Sequence, residues 1–211
     1  MSPFGMAIVV PTLELFANEF ESSYSTIQFI ISAYLFGLAI AQPFMGFLSD
    51  KLGRKPVMIS GIILFIIASY VCMTAETLST LIIARFFQGV GASVGTVTSR
   101  AIIRDSYPGD EAAKPLSRVT ATMGMAPMIA PVVGAIALSI LGSPSGIFLI
   151  TLLIGFLILI PVLLFLPETV IKVDSQKTQA SWYKNYYKLM RSETFVGSTF
   201  IYGFTTGSFF A

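Results

Sequence analysis

Apolar residues run along this chain in stretches of membrane length, broken by short clusters of charge. Residues 27–48 hold no charged side chain, and residues 56–73 hold none either. Between them lies Ser49-Asp50-Lys51-Leu52-Gly53-Arg54-Lys55, with almost no linker on either side. A helix needs roughly 20 residues to cross a bilayer core, and hydrocarbon admits only backbones that satisfy their hydrogen bonds internally. The pattern therefore predicts a tight helical hairpin, its first arm capped by Ser25 or Thr26. Further apolar runs predict helices over about 78–101, 116–141 and 147–166, with another beginning near 195. The run at 4–16 is shorter than a span and carries Pro11, which predicts a kink. The expected fold class is an all-α membrane protein, a six-helix transmembrane bundle followed by the start of a seventh helix.

Charge orients the bundle. Lys and Arg concentrate on the cytoplasmic side of membrane proteins. Placing residues 51–55, 100–118 and 172–191 inside accounts for every Lys and Arg except Arg85. The amino end is then cytoplasmic, and residues 18–23, 74–79 and 142–146 form outer loops. Residues 1–166 make one domain, 167–192 a cytoplasmic linker, and 193–211 an incomplete seventh helix. Within the linker Trp182, Tyr183, Tyr186 and Tyr187 recur at helical spacing, which predicts an amphipathic segment at the membrane surface.

Composition narrows the function. The chain is 55% hydrophobic and 11% charged, where a soluble domain carries about a quarter charged residues. It has no histidine and a single cysteine, Cys72, inside an apolar run. That excludes a disulfide framework and a Cys/His metal cluster, and removes the usual near-neutral proton carrier. A net charge of +2 does not suggest nucleic acid. No nucleophile–base pair or phosphate loop is present, so neither an enzyme nor a cofactor is expected. The implied partners are the lipid bilayer and a small molecule.

Gly46-Phe47-Leu48-Ser49-Asp50-Lys51-Leu52-Gly53-Arg54-Lys55 reads G-x-L-x-D-x-x-G-R-K. It resembles the loop motif between helices two and three of the major facilitator superfamily. A plain positive-inside loop explains the charge but not the Asp50/Gly53/Arg54 spacing. Arg85-Phe86-Phe87-Gln88-Gly89-Val90-Gly91 resembles the fourth-helix motif of proton-coupled members. Gly124-Met125-Ala126-Pro127 with Ala130-Pro131-x-x-Gly134 resembles the antiporter motif of helix five, with Ala126 and Ala130 where that motif has glycine. With Arg104-Asp105-Ser106-Tyr107-Pro108 and Leu166-Pro167-Glu168-Thr169, the chain most resembles the Bcr/CflA group of drug:proton antiporters.

This resemblance implies about twelve spans in two six-helix halves, each a 3+3 inverted repeat, so a missing C-terminal half becomes the expected partner. The repeat is echoed by P-x-x-G at Pro43/Gly46 and Pro131/Gly134. It implies exchange of a drug-like molecule for protons by alternating access in a bacterial inner membrane. Asp50, Arg54 and Asp105 would latch the halves, within a motif loop that includes Gly46, Gly53 and Lys55. Arg85, with Gln88 and Gly89, would tune proton release, and Gly124, Pro127, Pro131 and Gly134 would let helix five pack and rock. A symporter or uniporter for sugars or organic acids is the alternative, as is a non-transporting half.

Arg85 is also anomalous on physical grounds. A guanidinium inside a span costs about 2.5–3.5 kcal/mol on insertion scales unless it faces a cavity or partner, or snorkels to the interface. Glu14 is the candidate partner at comparable depth, and it alternatively marks the outer water boundary. Multidrug relatives often hold a carboxylate about one turn before the proline equivalent to Pro11. Here Ala7 stands at that place.

Overall fold

The computed structural model describes residues 2–169 and 191–210. The chain divides into two compact units, Met1–Val170 and Ile171–Ala211. In the second, the described element is helix α9, Glu193–Phe210; the amphipathic surface segment expected near 182–187 lies outside the described residues. The first unit holds helices α1 (Ser2–Ala7), α2 (Leu13–Glu19), α3 (Tyr24–Ile27), α4 (Phe29–Leu52), α5 (Arg54–Met73), α6 (Leu78–Ser106), α7 (Ala113–Leu141) and α8 (Ile147–Phe165). Among the described residues no strand occurs.

Five helical segments there are long and apolar enough to cross a membrane: Tyr24–Leu52, Arg54–Met73, Leu78–Ser106, Gly109–Leu141 and Pro144–Phe165. The first expected span departs from a single kinked helix. Pro11 offers no N–H and its ring crowds the carbonyl four residues back, so the chain breaks after Ala7. A 3-10 turn at Val10–Thr12 follows, held by the Thr12 hydroxyl donating to the Val9 carbonyl at 2.8 Å. The hairpin's cap also differs: Ser23 is the N-cap, its Oγ accepting from the Thr26 amide at 3.3 Å. Helix ends follow the prolines. Tyr107 and Leu166 are extended because each precedes a proline, which disfavours the helical region.

α6 lies between α4 and α5, and α5 also packs on α8; α7 packs mainly on α1 and the 3-10 turn. Glycine makes the close approaches possible. A methyl on Gly89 would meet the backbone carbonyl of Tyr34 in α4, and one on Gly37 would meet the carbonyl of Phe86 in α6. On another side of α6, a methyl on Gly91 would sit 2.6 Å from the Phe65 amide nitrogen in α5. Helices associate in lipid by such close backbone packing, since lipid tails are as apolar as the side chains. The two P-x-x-G segments pack unequally: Gly134 abuts the Ile8 carbonyl at the break in the first segment, whereas Gly46 meets only the Val97 side chain at 3.5 Å. α7 remains helical through Pro127 and Pro131 and leaves Met125, Met128, Val132, Ile136 and Ile140 exposed.

Candidate functional site

Two polar clusters stand out, one at the hairpin tip and one in the interior. At the tip a single residue, Gly53, joins α4 to α5 with φ 109° and ψ 153°, a backbone region open in practice to glycine alone. The reversal turns the Arg54 side chain back along α4. Its Nη1 donates to Asp50 Oδ1 at 2.5 Å and to Ser49 Oγ at 2.7 Å, and its Nε donates to Asp105 Oδ2 at 2.9 Å. One guanidinium thus ties the end of α4 to the end of α6. The Arg54 side chain is 11% exposed, against 26% for Asp105 and 61% for Asp50. Exposed pairs contribute about 0–1 kcal/mol. The covered, forked arginine raises the cluster to about 1–2 kcal/mol. Ser49 is buried and also donates to the Gly46 carbonyl at 2.9 Å. Lys55 does not join this cluster; its Nζ donates to the Leu163 carbonyl at 3.0 Å.

In the interior, Arg85 and Gln88 on α6 are fully buried. Arg85 Nε donates to the Ile30 carbonyl at 3.2 Å, and Nη1 donates to the Gly5 carbonyl at 3.0 Å and to Gln88 Oε1 at 2.5 Å. Gly5 lies in the last turn of α1, where helical carbonyls lack intrahelical partners and a cation meets the negative end of the dipole. Gln88 Nε2 passes the network on to Ser69 Oγ of α5 at 2.7 Å and Thr151 Oγ1 of α8 at 3.3 Å. The Tyr34 ring lies 4.3 Å from the guanidinium carbon, a cation–π contact strengthened by exclusion of water. Among the described residues, Arg85 Nη2 has no hydrogen-bond partner. Arginine is therefore held by carbonyls, an amide and an aromatic face, at the meeting point of α1, α4, α5, α6 and α8.

Glu14 does not reach it. That residue is exposed on α2 with no ion pair to Arg85, because the break at Val10–Thr12 separates its helix from the carbonyl Arg85 grasps. Every Asp and Glu described between residues 2 and 169 is exposed. Ala7 is 4% exposed and belongs to an apolar cluster with Ile8, Val9 and Phe16. Of the helix-five residues, Gly134 touches the first segment, whereas Gly124 has open space around it. Gly89 belongs to the α4–α6 contact rather than to the polar network. The sequence pattern missed Tyr34, Ser69 and Thr151, whose polar atoms look ordinary in apolar runs. The one available signal was helical periodicity: Ser69 shares a face of α5 with Cys72 and Phe65, all buried.

Comparison with known proteins places this geometry. The Major Facilitator Superfamily profile matches residues 1–211. The multidrug resistance protein MdtL of Shewanella oneidensis is 36% identical over 169 residues, covering 80% of this chain and 42% of that protein. A bicyclomycin resistance protein homolog of Haemophilus influenzae is 26% identical over 212 residues, covering 100% of this chain and 53% of its own length. The chain thus spans about half the length of these curated relatives. The crystal structure of the human organic anion transporter MFSD10 shares the fold, with a TM-score of 0.58 at 20% identity over 76% of this chain and 38% of that one. With a hairpin motif, an interior arginine and stacked membrane-length helices all in one match, this chain is a multi-pass membrane protein belonging to the Major Facilitator Superfamily of transporters.

Proposed function

We propose that the chain is the amino-terminal half of a bacterial inner-membrane exporter that exchanges drug-like molecules for protons by alternating access. The observation that carries this reading is Arg54 joining Asp50 and Asp105 across two helix ends. Such a cluster holds one arrangement of the helices closed on the cytoplasmic face, and its modest strength lets it open during a cycle. Arg85 and Gln88 link five helices through hydrogen bonds to carbonyls and hydroxyls that a rearrangement of the helices can reset. Relatives named for multidrug and bicyclomycin resistance support efflux as the direction. The second six-helix half supplies the other wall of the path.

Removing the Asp105 charge weakens the latch. Losing about 1 kcal/mol shifts a two-state population about fivefold. Asp105→Asn therefore raises the labelling rate of a cysteine placed at Val97, beside Gly46, about fivefold from the cytoplasmic side; an unchanged rate removes the latch role.

The coupling ion is tested in vesicles that hold the chain together with its second six-helix half, by following a fluorescent drug under an imposed pH gradient. Efflux collapses when a protonophore dissipates the gradient. Flux that ignores the proton gradient would favour the uniporter form of the second reading, a symporter or uniporter for sugars or organic acids. One observation supports that alternative: among the described residues Arg85 Nη2 is unpaired and no carboxylate is buried beside it, which suits the carboxylate of a substrate.

A further inference from the structure

We propose that Glu168, after the last helix of the first unit, is a positioning residue for the Arg54 latch, a role that rests on the gating reading above. α5 begins at Arg54, and its N-cap residue, Gly53, supplies no side-chain oxygen. A helix start leaves its first amides without intrahelical acceptors. Here the acceptor comes from more than a hundred residues away: Glu168 Oε1 accepts from the Arg54 amide at 2.8 Å, and Oε2 accepts from the Lys55 amide at 3.2 Å. The carboxylate also faces the positive end of the α5 dipole, where an anion is favoured.

The return contact mirrors this one. Lys55 Nζ donates to the carbonyl of Leu163, in the last turn of α8, where a cation complements both the free carbonyls and the negative dipole end. The start of α5 and the end of α8 thus exchange caps. Leu166 and Pro167 turn the chain out of α8, and Glu168 comes back onto α5. Gly53 has a second reason to be glycine. Besides its positive φ, a methyl there would lie 2.5 Å from Glu168 Oε2 and 3.0 Å from the carboxyl carbon. The glycine of the hairpin motif therefore leaves the opening through which the distant carboxylate reaches the amides.

This arrangement divides the duties of Arg54. Its backbone is fixed by Glu168, while its side chain engages Asp50, Ser49 and Asp105. Loss of the carboxylate frees the first turn of α5 to fray, and the guanidinium then loses the fixed origin from which it reaches α6. Glu168 acts on the gate through Arg54, without touching a substrate.

The test combines Glu168→Ala and Glu168→Gln with Asp105→Asn in the full chain in lipid nanodiscs. Single-amide hydrogen exchange on Glu168→Ala is expected to speed at Arg54 and Lys55 by tenfold or more, with a smaller change in Glu168→Gln, whose amide oxygen still accepts one bond. Unchanged protection at both amides overturns the proposal. Cytoplasmic labelling at a Val97 cysteine is expected to rise in Glu168→Ala as it does in Asp105→Asn, and to rise no further in the double variant. Additive effects would mean that Glu168 acts on stability alone, and would also overturn it. Both readouts stand without any flux measurement. Should the exchange and labelling pattern appear while the chain assembled with its second six-helix half shows no gradient-driven transport, the Glu168 role stands and the exporter reading is lost.

Discussion

Arg85→Met, tested with the second six-helix half present, is expected to leave the bundle folded while transport falls by about two orders of magnitude, the scale on which lost positioning acts, because the guanidinium that ties α1 and α4 to α6 is gone. Two opposing effects decide the stability. Removing the guanidinium relieves an insertion cost of about 2.5–3.5 kcal/mol and deletes the orphaned Nη2. It also strands Gln88 Oε1 and the Gly5 carbonyl, at about 1–3 kcal/mol each. These nearly cancel, so the melting midpoint in nanodiscs moves by less than about 8 °C. Arg85→Lys is the informative contrast. It keeps the charge but cannot span Ile30, Gly5 and Gln88 from one ammonium, so it is less stable than the methionine variant. Circular-dichroism melts and flux assays on both variants check this. If Arg85→Met unfolds while Arg85→Lys is sound, the arginine is a structural pillar. If Arg85→Met transports normally, it has no part in coupling.

Gly89→Ala carries the second large effect. The added methyl would collide with the Tyr34 carbonyl and lie 3.1 Å from the Leu38 amide nitrogen. Neither obstacle is a side chain that can rotate away. The α4–α6 contact must open, disturbing the Phe86–Gly37 approach and the Tyr34 ring over Arg85. Overpacking of this kind costs about 1–3 kcal/mol, and the coupled loss of the cation–π contact adds to it. Gly124→Ala is the matched control, since nothing lies within 4 Å of the new methyl. There alanine stabilises by about 0.5–1 kcal/mol through helix propensity. Opposite shifts in melting midpoint are expected for the two variants; shifts of the same sign would count against the α4–α6 packing.

Much of this was legible in the sequence, for definite physical reasons. Span positions follow from length and hydropathy, which depend on neighbours along the chain. Gly53 and Arg54 declared a tight turn by local chemistry, and Arg85 stood out because charge in an apolar run demands an explanation. What was not legible depends on which backbone groups meet in space. Pro11 signalled a bend, but the contacts made at the break, Arg85 taking the Gly5 carbonyl and Gly134 lying against Ile8, left no local sign. Glu14 looked like a partner by depth, yet partnership needs a common face, and the break removed it. Ser69 and Thr151 became network members only once Gln88 was placed. Glu168 belonged to a recognisable L-P-E-T string, while its contact with Arg54 is separated by more than a hundred residues and left no local trace.

The Arg85 network also has an order in time. A ribosome delivers segments to the membrane from the amino end, and Gly5, Ile30 and Ser69 all precede Arg85 in the chain. When α6 has emerged, carrying Gln88 with Arg85, the Gly5 and Ile30 carbonyls that the arginine grasps are already embedded, and of the hydrogen-bonding groups in the network only Thr151 has yet to arrive. A nascent chain stalled just after α6 can therefore hold its buried cation without help, so integration of that segment depends on the three stretches synthesised before it.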